Sequence, residues 1–239
     1  MKCLSKIAPW SVLVVLVGAL SSFAAHAGLW DEIAMHGEDV KYLVMQHLYL
    51  VMVSGGLAIV VAIPLGIWMS RPSQRTGALV ALQVLNIGQA VPKLALLALA
   101  MGFMGLGAPA AIFGLWVATL LPVAVNTYEG LRSLPAHLIE AAEAMGMTRM
   151  QILRRVELPN ALYVIFAGIR TALAINVGTV PLAFLVGGGG LGELIFTGID
   201  LNDIGMMLAG ALSTALLAIA VDLLCAQAQH WMIPRGVRP

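Results

Sequence analysis

Apolar residues along this chain run in long unbroken blocks separated by short polar segments. Six blocks predict helices, at about 8–26, 46–69, 78–104, 109–128, 160–185 and 204–228. A helix needs roughly 20 predominantly apolar residues to cross about 30 Å of hydrocarbon. Inside lipid the backbone must satisfy its own hydrogen bonds, which leaves helices or a closed barrel. The blocks are continuous rather than alternating, and that excludes a barrel. The stretch from Gly77 to Tyr128 is too long for one crossing, and Gly105-Leu106-Gly107-Ala108-Pro109 divides it. One separator differs from the rest. Between the fourth and fifth blocks lies a charged insert, about 133–158, that must sit in water and meet something there.

Composition sharpens this picture. The 239 residues are 60% hydrophobic and 10% charged, with a mean hydropathy of +0.94. Soluble domains carry about 25% charged residues. The expected fold class is therefore all-α: a polytopic membrane protein with about six transmembrane helices and a cytoplasmic helical insert. The expected domain division is 1–44 (a signal-like or first transmembrane segment with an outer stretch), 45–226 (the transmembrane domain) and 227–239 (a cytoplasmic tail). Net charge is +1, which gives no basic patch for nucleic acid.

The basic residues set the orientation. Lys2, Lys6, Arg71, Arg75, Arg132, Arg149, Arg154, Arg155, Arg235 and Arg238 all fall on one side when the blocks alternate, and that side is the cytoplasm. The opposite segments hold Asp31, Glu32, Glu38, Asp39, Asp200 and Asp203, with Lys41 as their one base. The chain is thus expected in a bacterial cytoplasmic (inner) membrane, multi-pass, with its C-terminus inside. Lys2, Lys6, an apolar run and Ala25-His26-Ala27 also fit a cleavable leader. The run of about 19 residues is long for a leader core and favours an uncleaved span.

Within the insert, Ser133 is expected to cap a short helix over 134–145. Gly146 permits a sharp turn because it tolerates a left-handed backbone. Thr148 and Gln151 have the spacing of a capping box and start a second short helix. Pro159 suits the first turn of the next span. Ala141, Ala142 and Ala144 make one surface small enough for a partner to approach closely.

Glu140-Ala141-Ala142, then Gly146, then Leu158-Pro159 resembles the EAA loop of binding-protein-dependent ABC importer permeases (type I). The resemblance covers about residues 45–226. Gln89-Ala90-Val91-Pro92, Asn126-Thr127-Tyr128-Glu129-Gly130, Gly168-Ile169-Arg170-Thr171-Ala172 and Gly187-Gly188-Gly189-Gly190-Leu191-Gly192 look like the branch serving glycine betaine, choline or carnitine. Lys93 departs from the small polar residue expected after that proline. The resemblance implies that the insert docks into a cleft of an ABC ATPase subunit. It also implies an extracytoplasmic substrate-binding protein and a second permease subunit, identical or paralogous, with membrane lipid around them. Other cargo, such as an amino acid or a sulfonate, remains an alternative.

Some residues point to a path through the membrane. Pro64, Pro92, Pro122 and Pro181 lie within blocks, where each removes a backbone donor. They either bend path-lining helices or kink helices against lipid. Lys93 and Arg170 are bases at membrane depth, and such residues face protein or water. Arg170 either satisfies freed carbonyls or pairs with Glu193. Lys93 lines the path or reaches for an interface. Gly187, Gly188, Gly189 and Gly190 resist helix formation and read as an outer gate, a surface for a binding protein, or a flexible loop.

The remaining chemistry is exclusion. No phosphate loop with its Lys-Ser/Thr is present, so ATP must be hydrolysed by a partner. Histidines 26, 36, 47, 137 and 230 have no metal-ligand spacing, and Cys3 and Cys225 are expected to form no disulfide. No acid, base and nucleophile cluster at one depth, which argues against a membrane enzyme. No catalytic residue, metal or cofactor is expected. Trp10, Trp68 and Trp231 read as interface anchors.

Overall fold

A computed structural model describes residues 34–233, and these are all helix and short connections. The expected block at 8–26, with Cys3, Trp10, His26, Arg235 and Arg238, lies outside the described residues. The helices are α1 (Gly37–Ser70), α2 (Arg75–Ala90), α3 (Lys93–Met104), α4 (Ala108–Arg132), α5 (Ala136–Ala144), α6 (Arg149–Ile152), α7 (Leu158–Thr179), α8 (Gly192–Leu201) and α9 (Ile204–Met232). A π-helical turn, Leu153–Glu157, joins α6 to α7, and a 3-10 segment, Val180–Val186, extends α7. Four helical stretches are long and apolar enough to cross a membrane: Gly37–Ser70, Ala108–Arg132, Arg149–Val186 and Ile204–Met232.

The third expected block is not a straight span. It breaks at Val91-Pro92, and the two pieces meet at 98°. Pro92 has no N–H to continue α2, and the residue before a proline is driven out of the helical region, as Val91 shows with ψ 127°. Counted as one bent span, the pair raises the total among the described residues to five. Pro64 and Pro122 behave differently and stay inside continuous α1 and α4. Pro181 marks the change from α7 to the 3-10 segment.

Helix α4 is the centre of the assembly, with α1 on one side and α7 on the other. It crosses both at small residues. A Cβ at Gly66 of α1 would stand 2.5 Å from Thr127 Cβ, and one at Gly168 of α7 would stand 2.5 Å from Asn126 Cβ. In lipid, where apolar burial does not drive association, such close approach supplies the dispersion contacts that hold helices together. Two apolar clusters fill the seams. One joins Leu50, Val51, Leu97, Leu115, Val177 and Val180. The other joins Ala62, Met69, Ala78, Val123, Ala124 and Ala172.

Helix α8 was not anticipated by the block pattern, being only ten residues long. It folds back on α9 because Gly198 admits the α9 backbone at Met207. Asn202 ends it in the left-handed region at φ 56°, and the Asp203 side chain then caps α9 by accepting from Met206 N at 2.9 Å.

Candidate functional site: the polar insert and the charged groups at membrane depth

The insert forms two short helices, α5 and α6, which project beyond the ends of α4 and α7. Ser133 does not start α5, as the sequence reading expected. It closes α4, donating from Oγ to Gly130 O at 3.0 Å, and Pro135 stands at the α5 N-terminus without a side-chain cap. The Pro135 carbonyl accepts from Leu138 N at 3.1 Å and opens the first turn without any side-chain acceptor. Gly146 turns the chain at φ 74° with open space around it. Thr148 and Gln151 make a full capping box on α6, the Gln151 Oε1 accepting from Thr148 N at 2.8 Å.

Glu140, Ala141, Glu143, Ala144, Met145 and Gly146 are exposed. Ala142 is not part of that outer surface. At 1% exposure it faces inward with Ile152 and seats the insert on the rest of the protein. Leu158 and Pro159 begin α7 and are half-buried, set back from the exposed tip. His137 is exposed.

A single ion pair fastens the base of the insert. The Arg71 guanidinium, in the turn after α1, donates to Glu157 through Nη2 at 2.7 Å and Nη1 at 3.3 Å. Glu157 is buried because the π-helical turn rotates it inward. Sequence reading had Arg71 only as an orientation signal. Its partner lies 86 positions away, and no local pattern links them. Arg75 and Arg132 line the same cavity of about 450 Å³, so three of the bases assigned to one side do meet at one end of the bundle. At the other end His36 comes within 3.8 Å of both Asp39 and Asp203.

At membrane depth the outcome differs from expectation. Arg170 does not pair with Glu193, which is exposed at the start of α8. Its guanidinium instead donates through Nε and Nη2 to both carboxylate oxygens of Asp222 on α9. Asp222 was missed, although it is the lone acid between residues 204 and 232. Lys93, exposed at the start of α3, donates to Thr179 Oγ1 at 3.1 Å and ties the bend at Pro92 to the end of α7.

Gly187 to Gly190 do not form a free loop. Gly190 N donates to Gln46 Oε1 at 3.1 Å, and Gly107 N donates to Val186 O at 2.8 Å, so the run is pinned to α1 and to the start of α4. A Cβ at Gly188 would stand 2.6 Å from Ala111 Cβ.

Inside the bundle one polar knot joins three helices. Asn176 of α7 donates to Ser54 Oγ of α1 at 2.9 Å and to Thr119 Oγ1 of α4 at 2.8 Å. All three side chains are buried. Both hydroxyls in turn donate to carbonyls four residues back, Leu50 O and Leu115 O. Among the described residues Cys225 is a free thiol, and no cluster of three or more metal-ligating side chains occurs.

The family model "Binding-protein-dependent transport system inner membrane component" matches residues 62–235. The osmoprotectant import permease protein OsmY of Salmonella typhimurium is 48% identical over 234 residues, 98% of each chain. The carnitine transport permease protein OpuCD of Listeria monocytogenes is 42% identical over 178 residues, 74% of this chain and 79% of that one. The glycine betaine/carnitine/choline transport system permease protein OpuCB of Bacillus subtilis is 36% identical over 203 residues, 85% of this chain and 93% of that one. Among solved structures, a chain of the MetNI methionine ABC transporter in an inward-facing conformation superposes with a TM-score of 0.72 at 26% identity, covering 82% of this chain and 96% of that chain. Proteins of this kind are transport subunits rather than catalysts. The inner-membrane components of binding-protein-dependent transport systems are the family to which this chain belongs.

Proposed function

We propose that this chain is the permease of an ABC importer that takes up a quaternary-amine osmoprotectant such as glycine betaine, carnitine or choline. The observation that carries the cargo is the 48% identity to an osmoprotectant permease across 98% of both chains. Two permease subunits, this chain with a copy or a paralogue, enclose the path. A separate binding protein delivers the cargo from outside. The insert at 133–158 lies in the cytoplasm.

The insert is the coupling element in this reading. Glu140, Ala141 and Gly146 meet the ATPase, while Ala142, Leu158 and Pro159 hold the docking helix on the bundle. The exposed tip on a buried anchor supports that division of labour. Pro92, Lys93 and Arg170 belong to the path. Gly187 to Gly190 and Glu193 belong to its outer end, where a binding protein would meet the chain.

The test is co-purification with the cognate ATPase and uptake of labelled glycine betaine by the reconstituted complex. Glu140→Lys and Gly146→Val are expected to lose the ATPase or its coupling while the permease still inserts. Full coupling in both variants would remove the insert from the drive mechanism.

A further inference from the structure

The Arg170–Asp222 pair sits where neither charge belongs in lipid. Arg170 lies twelve residues beyond Leu158, or ~18 Å along α7 at 1.5 Å per residue, and Asp222 lies ten residues before Met232, or ~15 Å along α9. The pair is nonetheless open: its side chains are 42% and 33% exposed. A charged group at that depth faces protein or water rather than acyl chains. A cavity of about 460 Å³ opens over the pair, lined besides it by Tyr163, Ala167, Thr171, Ala174, Ile175 and Gln229. Ile175 is the one large aliphatic side chain in this lining, and the rest are small, polar, charged or aromatic.

The guanidinium is only partly used. Arginine carries five N–H donors in a rigid fork. Two go to Asp222, and no other acceptor among the described residues takes the remaining three. An arginine fork is the side chain best matched to bidentate recognition of a carboxylate. The Asp222 carboxylate beside it is a counter-charge for a cation, and the Tyr163 ring, 43% exposed on the same wall, offers a face to a quaternary ammonium. Seven residues separate Tyr163 from Arg170 on α7, which is two turns and therefore one face. An anionic group, a cationic group and an aromatic face converge on one opening inside the membrane.

We propose that this cavity is a transit site for a zwitterionic methylated amine, with Arg170 taking the carboxylate and Asp222 with Tyr163 taking the quaternary ammonium. The proposal rests on the osmoprotectant reading above and assigns its recognition within the membrane. An ion pair suits a zwitterion because each charge of the cargo exchanges against one already present, so neither the filled nor the empty state leaves a lone charge at membrane depth. It also separates cargos by chemistry. Glycine betaine and carnitine carry a carboxylate and use Arg170. Choline carries none and uses only the other half.

The experiment uses proteoliposomes holding the permease, its ATPase and its binding protein, with labelled glycine betaine, carnitine and choline taken up in parallel. The same binding protein serves every variant, so its own preference cancels. Arg170→Lys keeps the charge and removes the fork. It is expected to lower uptake of both carboxylated cargos relative to choline by about tenfold. Tyr163→Leu leaves the ion pair intact and is expected to slow all three cargos several-fold, with Tyr163→Phe recovering most of the loss. An unchanged cargo ratio in Arg170→Lys, or an equal loss of all three, overturns the site, as does full activity in Tyr163→Leu. The Tyr163 pair decides the matter if Arg170→Lys fails to assemble. A wild-type complex that carries none of the three overturns the cargo reading itself, a result seen before any variant is made.

Discussion

The Arg71–Glu157 clamp gives a quantitative handle on how the insert is held. Glu157→Ala removes a carboxylate whose side chain is 10% exposed and leaves Arg71, 32% exposed, without its partner. Breaking a fully buried pair costs about 3–5 kcal/mol, and an exposed pair contributes about 0–1 kcal/mol. With one partner buried and the other a third exposed, the loss falls between these, at about 2 kcal/mol. This energy is local, because the pair joins only the turn after α1 to the base of the insert. The change therefore acts on opening of α5 and α6 rather than on the transmembrane bundle. Two kcal/mol multiplies the open population about thirtyfold. Hydrogen exchange of the amides in 137–152 is expected to accelerate by that factor in the purified complex, while α4 and α7 amides stay slow. Arg71→Ala should do the same, and the double variant should cost little more than either single change. Fully additive effects of the two, or unchanged exchange in the insert, would refute the clamp.

Three further outcomes are expected. Asn176→Leu removes two interhelical hydrogen bonds but strands no donor, since Ser54 and Thr119 keep their bonds to Leu50 O and Leu115 O; it should cost only about 1 kcal/mol, whereas Asn176→Asp should cost several by burying a charge. Equal melting temperatures for the two variants would contradict this. Thr148→Ala opens the capping box and should cost about 1 kcal/mol, seen as roughly fivefold faster exchange of the Gln151 amide, which loses its acceptor. Gly168→Leu should overpack the α4–α7 crossing by about 1–3 kcal/mol and cut the yield of folded protein, while Gly178→Ala, with nothing within 4 Å, should behave as wild type; equal yields would show that the crossing can relax.

Much of this architecture is legible in the sequence because lipid imposes a coarse rule. Continuous apolar blocks give α1, α4, α7 and α9 to within a few residues at most ends, although α1 begins nine residues before its block. The sharp bend at Pro92 was not legible, since Pro64 and Pro122 sit in similar apolar runs without breaking them. What distinguishes Pro92 is tertiary: Lys93 is tied to Thr179, and Leu97 is buried beside Leu115 and Val177. In the insert, Gly146, Thr148 and Gln151 carry local signals and behave as read. Ser133 carries the same kind of signal, but a serine can close one helix as readily as open the next. The ion pairs were the least legible. Glu193 lies closer to Arg170 in sequence than Asp222 does, yet α9 runs back alongside α7 and brings Asp222 to it.

The amide of Asn176 has a mechanical consequence. Its two N–H groups engage separate helices at once, so α1, α4 and α7 cannot slide past one another without giving up a bond in a place where water cannot replace it. A displacement of any one of these three helices is therefore expected to be felt by the other two through this one amide. The Lys93–Thr179 and Arg170–Asp222 contacts then carry the same displacement outward from α7 to α3 and α9.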